Sequence, residues 1–332
     1  VILPVFNAAH TVEEAVRSLV AGGLSDSEIL AVDDGSTDGS GEVLARLQDE
    51  LPRLRLYTQL HRGIVAALTT GIEHATGEYF ARMDADDVSL PKRLERQRRF
   101  LDQHREIGVV TGRVRFGGDR HDAEGYAAYV DWINTLRDPD DFAFHRFVES
   151  PVAHPAVMFR RACVDRFGGY RNGTFPEDYE LWLRWMEAGV LFASIPEEVL
   201  LWNDPPARLS RTHERYSIEA FYAMKAEYLA RWCALHVDSW PDVVVWGAGR
   251  ITRKRVQLLE ARGARVRMWV DIDAKKIGQR IGGADVVAPD HLPGPGACFI
   301  LSFVANRDAR AQIRTWLNRH AYIPERDYIF AA

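Results

Sequence analysis

Short apolar runs alternate along the first 90 residues with segments whose apolar positions recur at helical spacing. Val1-Ile-Leu-Pro-Val-Phe6 reads as a buried strand. Thr11 with Glu14 has the spacing of a capping box. Val12, Ala15, Val16, Leu19 and Val20 then trace one helix face, which Gly22-Gly23 ends. Ile29 to Val32 predicts a strand, and Val43, Leu44, Leu47 and Leu51 mark a helix. Leu54 to Tyr57 predicts a third strand, Ile64 to His74 a helix, and Tyr79 to Met83 a fourth strand. Strands alternating with helices predict an α/β fold with a mostly parallel central sheet. The basic run Lys92 to Arg99, between Pro91 and Phe100-Leu101, reads as the solvated face of a helix.

Residues 107 to 235 are less regular, with many aromatics and proline breaks after Asp138, Ser150, His154 and Asp204. Loop-rich regions of this kind often carry substrate contacts. Ser217 to Leu235 returns to helical spacing, and Asp238-Ser-Trp-Pro241 reads as a linker. Val243-Val-Val-Trp-Gly-Ala-Gly-Arg250 restarts the pattern with a strand and a glycine turn. Two domains are therefore expected, 1–238 and 239–332, as the length of 332 residues also suggests.

Composition narrows the function classes. Apolar residues make up 47% of the chain and charged residues 27%, as in ordinary globular proteins. A net charge of -5 argues against a nucleic-acid partner. Cys163, Cys233 and Cys298 lie far apart and suggest neither a disulfide framework nor a zinc site, so a reducing, cytoplasmic setting fits. No run of 18 apolar residues marks a membrane span.

The chemistry concentrates at predicted strand ends. Glu78-Tyr-Phe-Ala-Arg-Met-Asp-Ala-Asp-Asp87 runs a short strand into three carboxylates. Ligands of open α/β sheets bind at the carboxyl ends of strands. Carboxylates gathered there repel one another unless a cation lies between them, and a hard divalent ion with oxygen ligands suits the set. Asp-x-Asp alone is weak evidence, since Asp138/Asp140 and Asp271/Asp273 repeat it. A second acidic strand end, Asp33-Asp34, precedes a Gly-Ser-Thr turn that also reads as an Asx-type helix cap. Two acidic strand ends in one sheet favour a nucleotide site. Glu177-Asp178 follows Pro176 at a helix start, where the dipole favours acidic residues and where a general base could also stand.

Together these segments resemble the family-2 glycosyltransferases of the GT-A type. The resemblance rests on Leu3-Pro-Val-Phe-Asn7, Val32-Asp-Asp-Gly-Ser-Thr-Asp38 and Gly77 to Asp87. His154-Pro-Ala-Val-Met-Phe-Arg160 and Pro176-Glu-Asp-Tyr-Glu-Leu-Trp-Leu-Arg184 add to it, in family order over residues 1 to 215. It implies transfer of a sugar from a nucleoside diphosphate sugar to an acceptor hydroxyl, with inversion. Asp34 would then bind the base, with Pro4 and Asn7 beside it, and Asp84 would face the ribose. Asp86 would hold Mn²⁺ or Mg²⁺ against the diphosphate, and Asp178 would be the catalytic base. His154, Glu177 and Trp182 fall in segments expected on the acceptor side. The pattern departs after the third strand, where His61-Arg62-Gly63 and Thr69 replace the usual asparagines and make Arg62 a donor-contact candidate. His213 is a candidate further metal ligand, and Arg208 and Arg211 are phosphate candidates. Acceptors in such a family include glycans and lipid-linked glycans. A cytoplasmic enzyme, with peripheral placement at the inner membrane face and self-association left open, is the corresponding expectation.

The second domain has Gly247-x-Gly249 after a strand and Asp271 22 residues later, with Thr252 where a third glycine would stand. It resembles nucleotide-free Rossmann-like accessory modules as well as the dinucleotide fingerprint. The competing functions are a nucleotidyltransferase making a sugar nucleotide and a non-catalytic nucleotide sensor. The first of these lacks a Gly-rich loop with Arg and Lys near residue 1.

Overall fold

A computed structural model describes residues 1–22, 26–205 and 208–332. They form two compact units, 1–142 with 151–213, and 143–150 with 214–332.

The first unit begins with the expected alternation. β1 (Ile2–Val5), α1 (Val12–Ala21), β2 (Ile29–Asp33), α2 (Ser40–Glu50), β3 (Leu54–Thr58), α3 (Ile64–His74) and β4 (Tyr79–Ala81) follow in order. β1, β2 and β3 pair in parallel, with Val5, Asp33 and Thr58 in register at their carboxyl ends. The side chains of β2 and most of those of β1 are buried, whereas β3 buries only Leu54, and α3 lies very close to β1. A Cβ on Gly71 would stand 2.6 Å from Ile2 Cγ2. α1 buries Val12, Ala15, Val16 and Leu19 as its spacing predicts. The expected capping box is not made. Thr11 accepts no side-chain capping bond, and its hydroxyl donates to Ala8 O at 3.4 Å. The predicted stop at Gly23 lies outside the described residues.

The remainder of this unit is β5 (Val88–Ser89), α4 (Arg93–Gln103), β6 (Ile107–Phe116), α5 (Glu124–Ile133), the start of α6 (Pro139–His145, whose last three residues belong to the second unit), β7 (Met158–Arg160), α7 (Arg161–Phe167), α8 (Glu177–Glu187), β8 (Leu191–Trp202) and α9 (Leu209–Thr212). Its five strands run β4-β7-β6-β8-β5, and only β6 and β8 are parallel. The middle region thus supplies a mixed sheet beside the parallel one. A parallel bridge from Ile2 to Arg82, with Met83 N donating to Ile2 O at 3.1 Å, brings the acidic segment alongside β1.

The basic run is only partly solvated. Arg93 is fully buried and donates to Arg82 O at 2.7 Å and to Gln97 Oε1 at 3.1 Å. Burial lowers its pKa to about 9. A guanidinium thus braces the backbone that carries the acidic cluster. Periodicity hid this, because the basic residues on the other side of the helix dominate the run.

The second unit contains α10 (Ile218–His236), β9 (Asp242–Trp246), α11 (Arg250–Glu260), β10 (Arg265–Val270), β11 (Arg280–Ile281), β12 (Ala284–Val287), β13 (Ile300–Ser302), α12 (Arg307–Arg319) and β14 (Tyr328–Phe330). Its sheet runs β11-β12-β10-β9-β13-β14, parallel except at β11. α10 packs on α11, Trp232 meets Phe299, and Phe144 meets Tyr328 and Phe330. These aromatic contacts carry the unit upstream of residue 239, where the linker alone suggested a boundary. No helix of the described residues is long and apolar enough to cross a membrane.

Candidate active site

Asp84, Asp86 and Asp87 follow β4, where the chain runs beside β1. One ligand atom from each lies within 4.8 Å of the others. Asn203 ties the turn, its N–H donating to Asp87 Oδ1 at 2.9 Å and its Nδ2 to Asp86 O at 2.7 Å. Asp87 is 1% exposed, and its Oδ2 is buried without a hydrogen-bond partner. A buried carboxylate oxygen of this kind is costly unless a proton or cation meets it. Burial, followed by repulsion from Asp84, raises Asp86 to about 6. Burial and the same repulsion push Asp87 well above the usual carboxylate range. Three hard oxygen donors, crowded and uphill to ionise together, fit a divalent cation.

Arg82 joins this cluster to the next. The Arg82 guanidinium, only 2% exposed, donates to Asp84 Oδ1. Its Nε is buried and unpartnered. The charge also acts on Tyr170, His154 and Asp178. His154 Nε2 and Tyr170 Oη are 2.6 Å apart. Burial and the Arg82 charge hold His154 well below the ordinary histidine range, so the ring is neutral. Asp178 opens α8 directly after Pro176, as predicted. Dense surrounding protein, then its neighbour Glu177, raise it to about 7, while Arg82 opposes the rise. Part of Asp178 stays solvent-accessible, so a ligand can reach it.

The first two loops form a stitched rim. Asn7, at φ 51°, accepts from Thr37 N at 2.9 Å and donates its own N–H to Ser36 Oγ at 2.9 Å. Ala8 N and Ala9 N donate to Ser40 Oγ and Asp38 Oδ2 at 2.8 and 3.0 Å. Asp34 is 3% exposed. Its Oδ1 accepts from Gln59 Nε2 at 2.5 Å and Arg62 N at 3.0 Å. Its Oδ2 accepts from Gly63 N at 2.8 Å and pairs with His61 Nδ1 at 2.9 Å. Roughly four acceptor positions exist on a carboxylate, so Asp34 is fully engaged with residues 59–63. Gly35 has φ 77°, and a Cβ there would lie 2.8 Å from His61 N, so only glycine lets the two loops meet. Phe6 and His61 stack at 4.0 Å and remain exposed.

The expected residues thus separate by environment. Asn7, Asp34 and Arg62 lie on the rim, Pro4 lies within β1 opposite Val32, and the Arg62 side chain is exposed with Nη2 donating to Gln59 Oε1 at 3.0 Å. Glu177 is 2% exposed and Trp182 is fully buried, edge-on to His154, Trp185 and Phe192. Trp182 therefore supports the floor from within the core instead of facing an acceptor. His213 is exposed and outside the carboxylate cluster. Arg211 donates to Asp204 Oδ2 at 2.6 Å, and Arg208 lies 3.6 Å from Asp204 Oδ1 and 3.6 Å from the Trp202 ring centroid. Sequence reasoning missed Arg82 and Tyr170. The first was available from the two-residue spacing to Asp84, and the second had no local signal.

Comparison with known proteins agrees with this geometry. The family model for glycosyl transferase family 2 matches residues 1–168, about half of the chain. The Bacillus subtilis (strain 168) protein EpsE, named as a glycosyltransferase, is 30% identical over 227 residues, covering 66% of this chain and 77% of that one. Among solved structures, S. aureus TarS 1–349 in complex with UDP-GlcNAc superposes with a TM-score of 0.57 at 15% identity. That match covers 77% of this chain and 69% of TarS. The mannosyltransferase PcManGT from Pyrobaculum calidifontis, in complex with GDP-Man and Mn²⁺, gives a TM-score of 0.50 at 20% identity. It covers 78% of this chain and 67% of that one. At such identities the two structures establish the GT-A fold. With the family motifs spread over the matched residues and converging on one strand-end cleft, the chain belongs to glycosyl transferase family 2 and is a glycosyltransferase.

Proposed function

We propose that the chain transfers a sugar, with inversion, from a nucleoside diphosphate sugar to a hydroxyl of a glycan or lipid-linked glycan. The observation that carries this reading is the pairing of the Asp84/Asp86/Asp87 cluster with Asp178 through the buried Arg82. Asp84 and Asp86, with Asp87 behind them, would hold Mn²⁺ or Mg²⁺, which supplies charge neutralisation for the departing diphosphate. His213, outside that cluster, is the remaining candidate for a further ligand.

The chain's own groups divide the remaining work. Asp34 shapes the 59–63 loop through its four contacts, and the exposed Phe6–His61 stack offers an apolar surface to the base. Asn7 frames the same edge, and Arg62 reaches solvent beside it. Asp178 accepts the proton of the acceptor hydroxyl as its oxygen bonds to the anomeric carbon. The bond from that carbon to the diphosphate breaks on the opposite face, and its electron pair leaves with the diphosphate. A carboxylate with pKa about 7 is matched to this task, because it is both available and basic near neutral pH. Neutral His154, hydrogen-bonded to Tyr170, and Glu177 line the same end of α8.

The test is a panel of UDP-, GDP- and dTDP-sugars, scored by nucleoside diphosphate release with and without acceptor. One carrier should be consumed, and Asp178→Asn should lower turnover about a hundredfold or more with donor affinity retained. Parallel loss of affinity and turnover would make Asp178 a binding or structural residue. Pyrophosphate-dependent formation of sugar nucleotides would favour the nucleotidyltransferase instead.

A further inference from the structure

The second unit holds positive charge that its own carboxylates do not balance. Lys225 of α10 is 1% exposed, donates to Val148 O at 3.2 Å and lies 3.9 Å from the Tyr222 ring centroid. Arg255 of α11 approaches the same ring at 4.1 Å. Arg307 and Arg310 stand in the first turn of α12; Arg310 is 8% exposed and donates through Nη1 to Ala332 O. Lys225, Arg307 and Arg310 all act on one carboxyl, Glu149, which burial itself pushes up. Three cations thus act on a single, half-buried acid, and Arg255 shares the Tyr222 ring with one of them. Two of the three also occupy the positive end of a helix, where a cation is disfavoured. Burial and the neighbouring Arg255 hold Lys225 well below its ordinary range. Such a concentration is costly without an anion.

Its position is equally telling. β9 and β13 are parallel neighbours, Ser302 opposite Trp246. The chain leaves β9 through α11 towards β10 and leaves β13 through α12 towards β14 on the other side. This is where the strand order reverses and an open α/β sheet forms a crevice at its carboxyl ends. Ser302, the last residue of β13, is fully buried, and its Oγ has no hydrogen-bond partner. The glycine turn next door is already closed. Ala248 N donates to Asp271 Oδ2 at 2.8 Å, and Lys276 Nζ reaches the same oxygen at 3.0 Å. The acid that would take a ribose is therefore committed internally, which separates this site from the dinucleotide arrangement.

We propose that the second unit binds a phosphate-bearing anion at the β9/β13 crevice, held by Lys225, Arg255, Arg307 and Arg310. The full chain is melted in chelator with inorganic phosphate, pyrophosphate or AMP, each against chloride of equal ionic strength. Phosphate near ten times its dissociation constant should raise Tm by about 2–3 °C. Arg307→Gln, on a half-buried side chain, and Lys225→Met, which keeps the volume and drops the charge, should each lose most of that rise. AMP acting at tenfold lower concentration than phosphate identifies a nucleotide as the ligand, and equal potency identifies the free anion. No rise over chloride, or an equal rise in both variants, overturns the site and leaves the cations a structural role.

Discussion

Replacing Asp178 by Asn should stabilise the protein, and by an amount that grows with pH. In the unfolded chain the carboxyl ionises near 3.8, and in the folded chain near 7. Between those values the folded state holds a proton that the unfolded state has lost. Stability contributed by this group is thus fully present below pH 3.8, falls as pH rises, and is lost above about 7. The two pKa values correspond to about 4 kcal/mol. Partial exposure of Asp178 and residual solvent screening reduce this to about 2–3 kcal/mol. Asn keeps the side-chain oxygen that accepts from the first turn of α8 and removes only the ionisation. The expected result is little change in Tm at pH 4.5 and a rise of a few degrees at pH 8.5 for the variant, measured by thermal unfolding of matched samples. Glu177 stands beside Asp178, so the difference between variant and wild type reports the pair. An equal loss of Tm at both pH values, or a gain that does not grow with pH, would refute the buried, proton-holding base.

Other outcomes follow from neighbouring groups. In the wild type, kcat should rise with pH through about 7 as Asp178 ionises, and Arg82→Gln should move that limb to higher pH by removing the charge that favours the carboxylate. A pH–rate profile of both proteins checks this, and an unmoved limb would detach Arg82 from the base. Asp34→Asn should leave at least one of the four loop donors facing an amide N–H, costing about 1–3 kcal/mol, and should raise the donor KM by loosening residues 59–63. Urea unfolding and donor kinetics would show the two effects together. Gly71→Ala should cost about 1–3 kcal/mol by forcing α3 off β1 at Ile2, read as a lower urea midpoint with an unchanged slope.

The parallel half of the first unit was legible because buried strands and amphipathic helices leave simple periods. Ile29 to Asp33 and the stripe Val12, Ala15, Val16, Leu19 appear where the pattern places them. Asp84, Asp86 and Asp178 were visible as acids at element ends. What stayed hidden depends on tertiary partners. Nothing local reveals that Arg93 is buried under Arg82, that Asp34 turns inward to four loop donors, or that Trp182 sits in the core beneath His154. Tyr170 reaches His154 across 16 residues, a contact without a periodic trace. The second unit draws in residues 143–150 through aromatic contacts far apart in sequence, such as Phe144 on Tyr328, which leave no local trace.

The most direct test of the proposed donor site is calorimetric titration of UDP and GDP into the wild type and Asp86→Asn, each in Mn²⁺ and in chelator. The carboxylate cluster predicts that one of the two nucleotides binds the wild type in Mn²⁺ and weakens at least about tenfold in chelator, a loss of about 1.4 kcal/mol. Asp86→Asn should bind weakly in both conditions. Equal affinity with and without metal, or an unaffected variant, would contradict the assignment of Asp84, Asp86 and Asp87 as the cation-assisted diphosphate site.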